Sequence, residues 1–263
     1  MSHRIMAASA AAPGISHVRA MQEIASGIDD PILGRIHHDE VQLCPQHSGR
    51  LSEDVVEHLM ESHPRTRFRI HATPRIDGEH EHAIVEAVNA SEHPDQIRAT
   101  AALSRRMEAP AYTLHAGRRE HGTLEKAFEN TRRLADVFGC RVGIEGLYPS
   151  IGRENRWLLA TWDEHEKLIE ADVDFAIDLS HLGIVAKRER RQRHDLVKAL
   201  VSSPHCLECH VSDNDARADS HRPLTAGSPP WWLPFLGDVH QEAVIFYEGI
   251  AVDPRKMAKT NAA

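Results

Sequence analysis

Residues 111–145 read AYTLHAGRRE HGTLEKAFEN TRRLADVFGC RVGIE. An apolar run ending in His115 is followed by a helical stretch over Thr123 to Phe138, and that by a second apolar run ending in Glu145. Within the helical stretch Leu124, Phe128, Leu134 and Phe138 form one apolar stripe, and Gly139 stands where a left-handed C-cap is needed. A strand, a helix and a strand in this order form a βα unit of a parallel sheet. The same alternation extends outward in both directions. Candidate strands are Arg4–Ala8, Glu40–Cys44, Phe68–His71, Ala111–His115, Arg141–Glu145, Phe175–Asp178, His205–Val211 and Ala243–Tyr247. Between them, helical spacing covers His17–Ile28, Leu51–Ser62, Asp95–Glu108, Thr123–Phe138, Thr161–Ala171 and Arg188–Ser202. In the second of these, Ser52 caps a first turn rich in carboxylates, with Val55, Leu59 and Met60 at helical spacing. Eight strands in 263 residues predict a single (β/α)8 TIM barrel spanning 1–263, an architecture that uses about 250 residues as one domain. Only 15 residues follow Glu248, so an eighth helix there is short.

Composition narrows the class. The chain is 41% hydrophobic and 27% charged, with a net charge of -8, which is ordinary for a folded soluble domain. An acidic chain gains no global attraction to a polyanion, so nucleic acid is not an expected partner without a local basic patch. No apolar run reaches the roughly 18 residues of a membrane span, and Met1 to Gly14 holds no continuous apolar core of a secretion signal. A cytoplasmic protein without membrane contact is expected. Four cysteines, Cys44, Cys140, Cys206 and Cys209, are too few for a disulfide scaffold of this size. Cys206-Leu-Glu-Cys209-His210 matches a haem-attachment pattern, but that chemistry needs export. In a strand the two thiols are expected on opposite faces, free and reduced.

The informative feature is what ends the strands. His71, His115, Glu145, Asp178, His210 and Glu248 each stand at or near the C-terminal end of an apolar run. In a closed parallel barrel those ends converge on one face, where active sites of this architecture lie. His181 follows Asp178 by three residues, and Asp219-Ser-His221 lies just beyond His210. One such residue is commonly a cap or a satisfied loop group; nine gathered at one mouth need a cation, because clustered carboxylates resist joint ionisation. The 20 histidines in the chain fit that reading, since neutral imidazole is the commonest metal ligand. His and carboxylate ligands suit Zn, Mn or Fe.

These residues carry a resemblance. His210-Val-Ser-Asp213-Asn214, the later Asp219-Ser-His221-Arg-Pro-Leu, Gly-Ile-Glu145 and Ile-Asp178-Leu-Ser-His181 together resemble the xylose isomerase-like TIM-barrel superfamily. That superfamily contains endonuclease IV (AP endonuclease family 2) and many sugar isomerases and epimerases. The resemblance runs from about Phe68 to Glu248. It implies four ligands to one ion, Glu145, Asp178, His210 and Glu248, as in the epimerases. The nine-ligand, three-zinc pattern of endonuclease IV also finds all its positions: His71, His115 and Glu145; Glu145 with Asp178, His210 and Glu248; and His181, Asp219 and His221. Two departures stand out. The family's Pro-Leu-Gly-Glu-Gly turn is replaced by Pro223-Leu-Thr-Ala-Gly227-Ser, and the DNA-penetrating loops of endonuclease IV have no counterpart.

The resemblance implies an isomerase or epimerase for a small polyhydroxylated or phosphorylated compound, with Glu145 and Glu248 as the proton-moving pair. A multinuclear phosphoester hydrolase and a non-catalytic metal-binding barrel are the alternatives. Arg118 or Arg119, just after His115, would hold an anionic group. Trp231 and Trp232 either line the substrate pocket or plug the space under a long loop. The Arg188–Arg193 run reads as a solvated helix start, and the segments Asp77–Glu92 and Arg217–Gly237 read as functional loops. The sequence leaves a homo-oligomer open.

Overall fold

The β5 strand (Ala111–His115) and the β6 strand (Arg141–Glu145) lie in parallel with Ala111 opposite Arg141 and His115 opposite Glu145, joined by helix α4 (Leu124–Phe138). The Thr123 hydroxyl accepts from the Lys126 backbone N–H, and Gly139 closes the helix at φ 71°, as the sequence requires. This computed structural model describes residues 3–76, 84–152 and 156–252.

The remaining strands are β1 (Ile5–Ala8), β2 (Ile28–Asp30), β3 (Gly34–Leu43), β4 (Arg67–Ile70), β7 (Phe175–Asp178), β8 (Cys206–Val211) and β9 (Val244–Tyr247). The parallel order runs from β1 through β9, β8, β7 and β6 to β5, while on its other side β1 pairs with β3 and β3 with β4. A parallel bridge between His71 and Thr113 joins the end of β4 to β5, so each of eight parallel strands has two neighbours and the sheet closes into the expected (β/α)8 barrel. The flanking helices are α1 (His17–Ser26), α2 (Glu53–Ser62), α3 (Pro94–Arg106), α5 (Trp162–Glu170), α6 (Leu179–Glu189) and α7 (His194–Val201). The apolar stripe of α4 is buried as expected, with Phe138 stacked on Tyr112 at 4.1 Å between ring centroids.

Several elements differ from the sequence reading. Helix α1 stops at Ser26 because Gly27, at φ 113°, turns the chain into β2, which pairs antiparallel with the start of β3. The strand expected at Glu40 thus begins at Gly34. The helix expected over Arg188–Ser202 is two: α6 begins directly at the end of β7, capped by Asp178, and ends on Arg190 in the left-handed region. Arg188 therefore lies in the last turn of a helix, not at a helix start. Strand β8 carries one extra residue, with Phe175 opposite Cys206 and Ala176 opposite Glu208. This bulge resets the alternation, so Cys206 and Cys209 share one side with their sulfurs 3.7 Å apart rather than facing opposite ways. Both are free and buried.

The β8–β9 crossover holds a short 3-10 segment, Leu233–Asp238, and no α-helix among the described residues. It is fastened by the two tryptophans. Trp232 is buried and donates its indole N–H to the Ser212 carbonyl at 3.1 Å. Trp231 lies against Gly183 of α6, where a Cβ would fall 2.6 Å from its indole nitrogen, and stacks near His194 and Phe235. Both thus pack beneath the loop, Trp232 fully buried and Trp231 partly so. Part of the Asp77–Glu92 loop and the short terminal helix expected after Glu248 fall on 77–83 and 253–263, outside the described residues; Ala87–Glu92 is a 3-10 turn.

Candidate metal centre

Register delivers the ligands to one level. His115 lies opposite Glu145 across β5 and β6, and Asp178 opposite His210 across β7 and β8. Glu248 follows β9, its backbone N–H donating to the Val211 carbonyl at 2.9 Å. His71 follows β4 at the bridge that closes the barrel.

All nine candidate ligands meet in one connected cluster. Glu145 Oε2 lies 3.1 Å from His71 Nε2, 3.5 Å from His210 Nδ1 and 3.9 Å from His115 Nε2, and Glu145 Oε1 lies 3.6 Å from His181 Nδ1. His210 Nδ1 is 3.8 Å from Glu248 Oε1. His181 Nε2 is 3.4 Å from both Asp178 Oδ2 and Asp219 Oδ2. His221 bridges the far side, with Nε2 2.7 Å from Asp219 Oδ2 and Nδ1 3.5 Å from Glu248 Oε2. Three sets, His71–Glu145–His210, Glu145–Asp178–His181 and Asp178–His210–Glu248, have ligand atoms within 4.8 Å of one another. His115 is the outermost member, its side chain 31% exposed.

The donor chemistry of these groups fits a cation. Glu145 Oε2, His181 Nε2, His210 Nδ1, Asp219 Oδ1 and His221 Nδ1 are buried with no hydrogen-bond partner, and buried polar atoms are otherwise satisfied in folded proteins. Local structure aims them. Asp178 spends Oδ1 on the backbone N–H groups of Ser180 and His181, at 2.6 and 3.0 Å, and so caps α6 while Oδ2 turns to the cluster. The His181 Nδ1–H donates to the Gly146 carbonyl at 3.1 Å, which turns Nε2 toward the carboxylate side.

The electrostatics are those of four crowded carboxylates balanced by protons. Burial pushes the Glu145 carboxyl up, but His71 and His210 outweigh it and hold the group well below the usual carboxylate range. Burial drives Glu248 up to about 7 against the pull of His210 and His221, with Asp178 and Glu145 adding to the rise. Burial pulls His181 and His210 down, yet the facing carboxylates keep both well above 6.5. His221 is held at about 9 by Asp219 and Glu248 despite its burial. Burial keeps His71 neutral, its value pushed down to about 3. A divalent cation in this space would displace the ring protons that balance the carboxylates.

Arg118 and Arg119, the expected anion holders, each face a carboxylate. Arg119 pairs with Glu164 at 2.7 Å, and Arg118 pairs with Glu120 at 3.2 Å and lies over the Trp157 ring. Residues the sequence reading passed over include Tyr148, whose ring is 4.9 Å from that of His181, and the barrel-interior group Gln42, Arg69, Thr113 and Glu208 beneath the ligands. A carboxylate two residues before His210 inside an otherwise apolar strand was the available signal. A cavity of about 860 Å3 adjoins the cluster at His221, bounded by Asp29, Asp30, Arg222, Tyr247 and Ile250 among others, a volume that suits a small molecule.

No protein-family model matches the chain, and no curated protein does. Among solved structures, a D-tagatose 3-epimerase-like protein superposes with a TM-score of 0.64 at 16% identity, over 98% of this chain and 97% of that one. An AP endonuclease, family 2, from Brucella melitensis gives 0.63 at 13% identity, over 100% and 98%. A D-allulose 3-epimerase from Methylomonas sp. gives 0.62 at 13%, over 99% and 90%. At these identities the likeness is one of fold. That fold is a parallel barrel, as the strand-end pattern predicts.

Proposed function

We propose that this chain is a metal-dependent enzyme of the isomerase or epimerase type, acting on a small polyhydroxylated substrate, free or phosphorylated, with 1–263 forming one barrel domain. The observation that carries the reading is that Glu145 Oε2 and Glu248 Oε1 lie 3.5 and 3.8 Å from His210 Nδ1, inside a cluster with several buried, unpartnered polar atoms. Glu145, Asp178, His210 and Glu248 would hold the ion, which when bound supplies polarisation of a substrate oxygen. Glu145 and Glu248 would take a proton from a carbon beside that oxygen and return one. Tyr148 offers an aromatic face beside His181 for the apolar side of a sugar. Burial of the cluster excludes water from the exchange.

A second reading has its own observation. His71, His115, His181, Asp219 and His221 join the same cluster, enough donors for two or three ions, and a multinuclear centre suits phosphoester hydrolysis by metal-activated water. Against its nucleic-acid form stand the net charge of -8 and the engaged state of Arg119. No helix among the described residues is long and apolar enough to cross a membrane, and a cytoplasmic location with a small-molecule partner belongs to the proposal.

Elemental analysis of protein purified without added metal gives ion identity and number. Incubation with ketoses in deuterium oxide then reads proton exchange at carbon by mass spectrometry. One ion per chain with exchange abolished by Glu145→Gln and Glu248→Gln supports the isomerase reading. Two or three ions, no exchange into any ketose, and nicking of an abasic duplex at low salt would replace it with the hydrolase. Metal binding without either turnover would leave the non-catalytic barrel.

A further inference from the structure

Beneath the ligand cluster lies a carboxylate that the proposed chemistry does not use. Glu208, on β8, is wholly buried. Its Oε1 accepts from Arg69 at 2.8 Å, and Arg69 in turn pairs with Glu40. Its Oε2 accepts from the Thr113 hydroxyl at 2.7 Å and from the Gln42 amide at 2.7 Å, and lies 3.1 Å from His210 Nε2. A buried charge of this kind persists only when paired and hydrogen-bonded throughout.

Donor and acceptor arithmetic then fixes two histidines. A carboxylate paired with a guanidinium only accepts, so every polar neighbour of Oε2 must donate to it. His210 therefore carries its proton on Nε2. The Gln42 amide nitrogen, 2.9 Å from that same Nε2, donates to Glu208, and a bare Nε2 would set its lone pair against the Oε2 charge at 3.1 Å, so Glu208 is the acceptor for both. With the second ring proton displaced by a metal, His210 Nδ1 is the nitrogen left to ligate, and it faces Glu145 Oε2 and Glu248 Oε1 with no hydrogen-bond partner. Thr113 has a single hydroxyl proton and spends it on Glu208, so toward His71 Nδ1, 3.0 Å away, its oxygen can only accept. His71 therefore carries its proton on Nδ1, and bare Nε2 faces Glu145 Oε2 at 3.1 Å.

We infer that Glu208 is a positioning residue that sets the tautomers of two metal-facing histidines at once, His210 directly and His71 through Thr113. The inference rests on the metal reading above and adds to it the atoms used: Nδ1 of His210 and Nε2 of His71. Outer carboxylates that receive the second N–H of a ligand histidine orient the ring and raise its basicity, and losing one costs about 10- to 100-fold in metal affinity. Here one carboxylate serves two rings.

The test uses the full chain and zinc alone, titrated against a competing chelator, with 15N spectra of the histidine rings in the zinc-loaded protein. Wild type is expected to show metal on Nδ1 of His210 and on Nε2 of His71. Glu208→Gln is expected to weaken zinc binding by about 10- to 100-fold and disturb both rings. Thr113→Val keeps the shape of the side chain and leaves Glu208 paired with Arg69; it is expected to weaken binding by about tenfold and shift the His71 signals while those of His210 stay. Should Glu208→Gln fail to fold, the Thr113 variant still decides. Wild type that binds zinc while the folded variants bind it as tightly, or that ligates through the opposite nitrogens, overturns the inference alone. Wild type that takes up neither zinc nor manganese overturns the metal reading and this inference with it.

Discussion

Replacing Glu248 by Gln should stabilise the metal-free protein at alkaline pH, the reverse of what removing a polar group from a well-satisfied core does. Burial, with Asp178 and Glu145 adding to it, raises the Glu248 carboxyl from 4.5 to about 7. A carboxyl raised in the folded state binds its proton more tightly there than in the unfolded chain, so stability falls as pH climbs from about 4.5 through about 7. The full rise corresponds to about 3 kcal/mol once the group is ionised in both states. Integrated over the titration, the penalty is about 1 kcal/mol at pH 5.5 and about 3 kcal/mol at pH 8. Glu248→Gln removes it. Urea unfolding in the presence of a strong chelator, at those two pH values, should therefore show the variant gaining about 2 kcal/mol more over wild type at the higher pH. With saturating zinc the order should reverse, because the variant has lost a ligand. A variant less stable than wild type in chelator at pH 8, or a gain that does not change with pH, would refute the picture of a carboxylate strained by burial and like charge.

Other expectations follow from the same geometry. Zinc binding should release protons, because His181, His210 and His221 are all held above 6.5 in the metal-free cluster; calorimetry in two buffers of different ionisation enthalpy should give different apparent heats, and affinity should fall as pH is lowered. Gly146→Ala should cost about 1–3 kcal/mol in urea unfolding, since a Cβ there would meet His165 Nε2 at 2.5 Å and the Leu159 carbonyl at 2.9 Å, and it should also weaken metal binding, since the Gly146 carbonyl holds His181. Of the four thiols only Cys140 is less than fully buried, and the contact with Cys206, together with burial, pushes Cys209 up; a thiol reagent should therefore find at most one fast-reacting group in the native protein and four in urea.

Much of the barrel is legible in the chain because its signals are local. The strands ending in His115, Glu145 and Asp178 lie where their apolar runs stop, and the caps at Ser52 and Gly139 form where short-range spacing assigns them. The gathering of the nine ligands is legible for a topological reason: parallel strands that close on themselves must bring their C-terminal ends to one mouth. Helix α6 escaped notice because residues 178–181 read as ligand spacing, while Asp178 in fact serves both cap and cluster.

What the sequence alone determined, then, is the periodicity, the caps and the chemistry at the strand ends. Tertiary structure alone decided the rest. The bulge at residue 207 that turns Cys206 toward Cys209, the pairing of Arg69 with Glu208 across 139 residues and the packing of Trp231 on Gly183 each depend on register and on which distant surface arrives. A residue's own neighbours along the chain report whether it is buried; they do not report what it is buried against, because that partner is chosen only when the strands align and the ring shuts.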